Sequence, residues 1–208
     1  RDLPKEFKEK VLNTLHTIGS SIPDYDATFF NNRLFYERAK GMGKITEEEA
    51  KKLGATGQIL RATGMNFDIR KVEPYAVYDK VDFEIPIRQD GDAYSRVWLI
   101  RDEMIQSVHI VMQCLEKMPE GEVYNRIPNP FKWKVAKGEA YVRVESSRGE
   151  LGLYMVSNGK DKPYRVHFRT PSYPHGLLVL EKLLQNASIA DVGNTMISLY
   201  VIAPEIDR

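Results

Sequence analysis

The stretch over residues 93–117 constrains this chain more than any other. Val97, Arg101, Met104, Val108, Met112 and Leu115 recur at spacings of three and four, and neither Gly nor Pro interrupts them before Pro119. That period predicts one uninterrupted helix of about seven turns, stopped by a residue that cannot continue it. A helix of that length needs several other elements to cover it, so it is expected to be the central scaffold.

Helical signals dominate what precedes it. Within residues 4–20, Phe7, Val11, Leu15 and Ile18 lie three or four apart with Lys and Glu between them, which reads as an amphipathic helix. A second helix is expected over residues 25–40. ITEEEAKKLG then carries a full set of end signals: Thr46 as N-cap, Glu49 three residues later to close a capping box, and Gly54 as the C′ glycine. LRATGMNFDIRKVEPYAVYDKVDFEIPIRQDGD has no helical period and is rich in Gly, Pro and aromatics. It reads as an ordered connection, with a short strand expected at residues 82–86.

Beyond the long helix, EVYNRIPNPFKWKVAKG has two prolines two residues apart and reads as loop. AYVRVE, LGLYMVS and YRVHFRT alternate as strands do, and Asn158-Gly159 between the last two is a hairpin signal. Together they predict a three-stranded antiparallel meander. GLLVLEKLLQNA and ADVGNTMISL predict two closing helices, and ISLYVIAPEIDR an oily strand that carries the chain inward to a charged end. The fold class is therefore α+β, mostly helical, with a small antiparallel sheet.

A chain of 208 residues can bury roughly 70 % of the surface its unfolded form exposes, so it needs no covalent staples. Its 30 basic and 29 acidic residues are interspersed, which leaves no field to gather nucleic acid or anionic lipid. The single Cys114 excludes an intrachain disulfide and cannot by itself hold an iron–sulfur cluster. No run reaches the roughly 18 apolar residues of a membrane-spanning helix. The opening residues, RDLPKEF, look like the middle of a longer protein.

Few residues suggest chemistry by pattern alone. His16, His109, His167 and His175 fall in different elements with no metal-ligand spacing, so no metal is expected. His109 reads as a packed or hydrogen-bonded residue, and Cys114 as a buried small hydrophobe. The glycine patterns that open nucleotide sites, P-loops and nucleophile elbows are all missing, so direct NADH binding has no support. ESSRGELG is more informative. A turn with Arg148 at its apex can aim a fixed cation into a cleft, toward an anionic ligand or an oxygen gaining charge. The plainer reading pairs Arg148 with Glu145 or Glu150. In RATGMNFDIRK, Arg61, Asp68, Arg70 and Lys71 form either a buried network or a face toward a partner.

Taken in order, LRATGMNFDIRKVEPYAVYD, GDAYSRVWLIRDEMIQSV, ESSRGELGLYMVSNGKDKPYRVHFRTPSY and EIDR resemble the 49 kDa subunit of respiratory complex I, known in bacteria as the D subunit of NADH-quinone oxidoreductase. The resemblance covers nearly all of the chain and corresponds to the C-terminal half of a family member. It implies the C-terminal portion of the [NiFe]-hydrogenase large-subunit fold over residues 1–208. Residues 1–122 would be its mainly helical part, and 138–208 its antiparallel strands, C-terminal helices and tail. The family's quinone-contacting histidine and tyrosine lie in the other half, so no catalytic residue is expected here and the fragment alone is expected to be inactive.

The implied activity is reduction of quinone with electrons from NADH or another donor. Its implied place is the peripheral arm of a proton-translocating complex, on the cytoplasmic face of the cell membrane. The implied partners are a small B-like protein carrying the terminal [4Fe-4S] cluster, a 30 kDa or C-like protein, and membrane-arm subunits. No cofactor is expected on this chain. NADH and FMN, where used, bind in other subunits, although the family as a whole is associated with NAD binding.

Hydrogenase relatives hold nickel with four thiolates, two of them in a D-P-C-x-x-C ending, and place the Arg of an A-P-R-G turn over the metal. Arg148 stands at the matching place, but this ending has no Cys. A nickel hydrogenase is thus the disfavoured alternative, and a purely structural scaffold is the other. With the metal pocket turned into quinone space, Arg148, Tyr200, Ile202, Glu205 and Arg208 are the wall candidates. Arg61, Asp68, Arg70 and Arg101 are candidates for a structural or partner-facing network. Two departures stand out. A further helical segment of the family is replaced by loop at residues 123–137. Many members also end S-L-D-P-V-M-G-E-V-D-R, whereas SLYVIAPEIDR puts Tyr200 in place of the Asp. That implies a divergent branch whose donor need not be NADH.

Overall fold

The computed structural model describes residues 3–4, 6–121, 129 and 134–207. Helix α1 (Phe7–Tyr25) runs into a π turn (Asp26–Phe30), followed by α2 (Arg33–Ala39), α3 (Glu47–Lys52), α4 (Gly57–Arg61), α5 (Ile69–Val72) and the long α6 (Ala93–Glu116). Strands β1 (Gly138–Ser146), β2 (Gly149–Ser157) and β3 (Arg165–Arg169) come next. A one-turn α7 (Ser172–Pro174) then passes through a second π turn (His175–Val179) into α8 (Leu180–Leu184), before α9 (Ile189–Leu199) and α10 (Ala203–Ile206).

The long helix forms as predicted, with the Asp92 carboxylate accepting from the Ser95 N–H at 2.8 Å as its N-cap. It packs against α1, α2, α4 and α9. Because its first turns are covered on several sides, Ala93, Ser95, Arg96, Val97 and Leu99 are all buried there, while Met104 of the predicted stripe is 37 % exposed. Arg96 is fully buried and donates to the Gly43 and Gly91 carbonyls at 2.9 Å each and to Ser198 Oγ. It thus ties two loops and α9 to the scaffold. Burial lowers its pKa to about 10, against the opposing pull of Asp92. His109 proves exposed, and Cys114 half-buried, packed against the cluster of Val81, Phe83 and Ile110.

The first two helices divide differently from the expectation. Helix α1 continues through Pro23, and the break falls later, where the Asn32 side chain caps α2 by accepting from Leu34 N at 2.8 Å. Burial follows Leu15 and Ile22, two turns apart, and leaves Ile18 off that line and exposed. For α3 the end signals hold in full: the Thr46–Glu49 capping box forms, and Gly54 adopts φ +72°. The Gly54 and Ala55 N–H groups return to the Lys51 and Ala50 carbonyls, a Schellman closure.

Residues 82–86 form no strand. Their backbone is satisfied by side chains of α6 instead, with Asp82 N donating to Gln113 Oε1 at 2.9 Å and Glu84 N to Gln106 Oε1 at 3.0 Å. The meander is antiparallel in the order β1-β2-β3, with Ser146 opposite Gly149 and Leu153 opposite Phe168. The loop expected at 122–138 falls mostly outside the described residues.

At the C-terminus the helix predicted to begin at Gly176 starts earlier, at Ser172. The tail is not an oily strand. Leu199, the last residue of α9, is fully buried and joins Ile45, Ile59, Val179 and Leu183 in the main core. Tyr200 then turns the chain in the left-handed region at φ +55°, and the single turn of α10 follows. The inward step is therefore a helix end, whose buried face is Thr195, Ser198 and Leu199.

Candidate functional site

The β1–β2 turn consists of Ser147 and Arg148, and it is held from outside itself. Gly57, at the start of α4 with φ +62°, lies so close that a Cβ there would stand 2.6 Å from Gly149 Cα and 2.7 Å from the Arg148 carbonyl oxygen. Only glycine allows that approach. The neighbouring Thr56 accepts from Glu150 N through Oγ1 at 3.1 Å and donates its own N–H to His175 Nε2 at 3.1 Å. Burial, with the charge of Arg169 behind it, lowers the His175 pKa to about 3. The imidazole is thus neutral, and its Nε2 lone pair stays available to Thr56.

So anchored, the turn lays the Arg148 guanidinium over the Tyr200 ring, 4.6 Å from its centroid. Arg148 Nη1 donates to Ser147 Oγ at 3.1 Å and lies 3.8 Å from Glu205 Oε1. The plainer sequence reading, pairing with Glu145 or Glu150, is corrected: those carboxylates are engaged by Arg61 and by Arg143 and Arg169. Arg148 Nε is buried without a hydrogen-bond partner among the described residues. Glu205 is pinned in turn, its side chain accepting from Ser172 Oγ and its carbonyl from Thr170 Oγ1. Ser172 Oγ also accepts from Ile202 N at 3.3 Å. Three of the five wall candidates, Arg148, Tyr200 and Glu205, therefore meet directly, and Ile202 joins them through Ser172. Arg208 lies outside the described residues.

Beside this wall is a cleft of about 270 Å³, bordered by Arg61, Tyr78, Glu103, Glu145, Ser147 and Tyr200. Its floor is a buried ionic cluster. Arg61 Nη1 donates to Glu145 Oε1 at 2.8 Å and to the Phe67 carbonyl at 3.1 Å, and its Nε to Glu103 Oε1 at 3.0 Å. Asp68 sits 3.7 Å from Arg61 and is chelated by Arg70. Burial alone would raise the Asp68 carboxyl, but the hydrogen bonds and charge of Arg70, with Arg61 beyond, hold it below the ordinary range. For Glu145 burial prevails, and the nearby Asp68 adds to it, so its pKa is raised despite Arg61. Arg101 does not belong to this cluster: it pairs with Asp26 and Asp102 beneath Trp98. Lys71 lies over the Phe83 ring instead.

The site thus combines a stacked cation, an aromatic ring and a charged, hydroxyl-edged cleft. It can orient a polar, planar or anionic group and stabilise charge on an oxygen. Nothing in the sequence marks Thr56, Gly57 or Ser172, and His175 enters it only as a histidine without metal-ligand spacing. Their partners lie far along the chain, 119 residues for Thr56 to His175 and 94 for Thr56 to Glu150, so no local spacing marks them.

Comparison with known proteins agrees over the full length. The family described as respiratory-chain NADH dehydrogenase, 49 Kd subunit, matches residues 1–208. The D subunit of NADH-quinone oxidoreductase from Thermosipho melanesiensis is 48 % identical, covering 100 % of this chain and 57 % of its own length. The D subunit of F(420)H(2) dehydrogenase from Methanosarcina mazei is 41 % identical, covering 100 % and 56 %. Among solved structures, a chain of the membrane-bound sulfane sulfur reductase, an archaeal respiratory membrane complex, superposes with a TM-score of 0.94 at 40 % identity, over 100 % of this chain and 57 % of that one. The chain therefore spans a little over half the length of these relatives. By a match along its entire length, it belongs to the family of the 49 kDa subunit of the respiratory-chain NADH dehydrogenase.

Proposed function

We propose that this chain is the C-terminal portion of the electron-accepting core subunit of a respiratory membrane complex, where Arg148, Tyr200 and Glu205 line one wall of a quinone-reducing chamber. The observation that carries this reading is Arg148 itself: a cation held over the Tyr200 ring, which borders the cleft, with its side chain still 17 % exposed. A fixed donor of this kind stabilises charge developing on a quinone oxygen as two electrons and two protons convert quinone to quinol. The electrons come from a [4Fe-4S] cluster in a small B-like partner, since the lone Cys114 gives this chain no ligand set for one. A 30 kDa, C-like protein and membrane-arm subunits complete the assembly, at the cytoplasmic face of the membrane. Among the described residues no helix is long and apolar enough to cross a membrane, which suits a peripheral arm.

The relatives' names differ in donor and acceptor, spanning NADH-quinone, F(420)H(2) and sulfane sulfur, yet each matches this chain along its whole length. What they share over these residues is the transfer scaffold, and donor recognition belongs elsewhere in the complex. The test is Arg148→Met in the intact complex. Losing a charge-assisted hydrogen bond to the reacting oxygen is expected to lower quinone reductase turnover roughly ten- to hundredfold, with normal assembly. Unchanged turnover in a fully assembled complex would leave this half of the protein a structural scaffold.

A further inference from the structure

We infer that His175 is a positioning residue for the Arg148 wall, acting through Thr56, and that the helical turn Ser172–His175 is the joint that holds the turn and the tail in register. The inference rests on the reading above. His175 is fully buried, and the only hydrogen bond of its side chain among the described residues is the one that Nε2 accepts from Thr56 N. Thr56 Oγ1 in turn receives the Glu150 N–H, and Gly57 is pressed against the Arg148 carbonyl. Every one of these contacts bears on the backbone that carries Arg148.

One helical turn earlier, Ser172 Oγ donates to Glu205 and accepts from Ile202 N. The same turn of helix therefore fixes Arg148 from one side and Glu205 from the other. A shift of this turn would move the guanidinium relative to the Tyr200 ring on which it rests.

The experiment compares wild type, Arg148→Met, His175→Leu, His175→Gln and the double variant Arg148→Met/His175→Leu in the assembled complex. The reading is kcat/KM with a short-chain benzoquinone and, separately, with polysulfide. Leu fills the imidazole's space but offers Thr56 no acceptor, whereas Gln presents Oε1 near the place of Nε2. His175→Leu is expected to lower kcat/KM roughly fivefold or more, and His175→Gln to restore it to within about twofold. In the Arg148→Met background His175→Leu should cost less than about twofold further, because its effect passes through Arg148.

A full loss repeated in that background, or no rescue by Gln, would overturn the inference and make His175 a core residue only. If Arg148→Met leaves kcat/KM unchanged, or the wild type turns over neither acceptor, the wall reading falls and the inference with it. Should His175→Leu not assemble, Thr56→Val removes only the hydroxyl that holds Glu150 and is put through the same comparison. Failure of both to assemble would assign the joint to folding and overturn the inference as well.

Discussion

Replacing Arg61 with Met tests whether the cleft floor is an electrostatic unit. Its side chain is 2 % exposed, and it faces three carboxylates: Glu103, Glu145 at 2.8 Å and Asp68 at 3.7 Å. Removing one member of a buried ion pair costs about 3–5 kcal/mol, most of it from stranding the opposite charge. Here three anions lose one cation and, among the described residues, Arg70 is the cation that remains beside them, so about 4–5 kcal/mol is expected near pH 7.5. Met matches much of the volume, which keeps the packing loss small.

The same cluster dictates how that loss varies with pH. Glu145 has a raised folded-state pKa, so folding favours its protonated form. Its ionisation destabilises as pH rises from the unfolded carboxylate value through the raised one. Without Arg61 that rise grows, and the deficit should shrink toward pH 5 as Glu145 takes up a proton. Asp68 works in the opposite sense: its lowered pKa contributes stability above the unfolded value that is lost only as pH falls through the depressed one. Urea unfolding of wild type and variant, followed by far-ultraviolet circular dichroism between pH 5 and 8, measures both quantities. A loss below about 1 kcal/mol, or one equal at every pH, would mean the cluster is solvated and the reasoning wrong.

Two further outcomes concern backbone geometry. Gly57→Ala places a Cβ within 2.8 Å of three backbone atoms of the Arg148 turn at φ +62°, so about 2–5 kcal/mol of destabilisation is expected from strain and overpacking together. Gly54→Ala at φ +72° meets nothing nearer than 3.9 Å among the described residues and should cost only about 1–2 kcal/mol, so equal thermal midpoints for the two would refute the close-approach argument. Thr46→Ala removes the α3 N-cap and opens its capping box, with an expected loss of about 1 kcal/mol by the same measurement. A loss confined to a few tenths would show that the box adds nothing beyond solvation.

What is legible in the sequence is what neighbours in sequence decide. The Thr46–Glu49 box, the turn at Gly54, the alternating strands and the span of α6 all follow from residues within a few positions of one another. The strand expected at 82–86 does not form, and the Asp82 and Glu84 N–H groups find acceptors in Gln113 and Gln106 of a helix, which no local pattern marks. The break between the first helices falls elsewhere for a related reason: Pro23 removes only one donor from a nineteen-residue helix, whereas Asn32 offers its side chain to two backbone N–H groups. Arg148 is marked by its place at a turn apex, but its plainer pairing is wrong, since Arg61 and Arg143 claim the adjacent carboxylates.

The wall is therefore an assembly of four segments, and its geometry belongs to none of them alone. Residues 56–57 set the height of the turn, 145–150 carry the cation, 172–175 clamp turn and tail together, and 199–205 supply the ring and the carboxylate. Tyr200 shows the cost of this arrangement. A non-glycine residue in the left-handed region is disfavoured by roughly 1–2 kcal/mol, and a cation stacked on its ring at a partly buried site returns about as much. The stacked Arg148 thus offsets part of the strain at Tyr200, which also closes α9 through its N–H on the Ile197 carbonyl, and relaxing the turn would carry the ring away from the cation. An aromatic side chain at this position is accordingly a structural partner of Arg148, whichever acceptor the finished complex reduces.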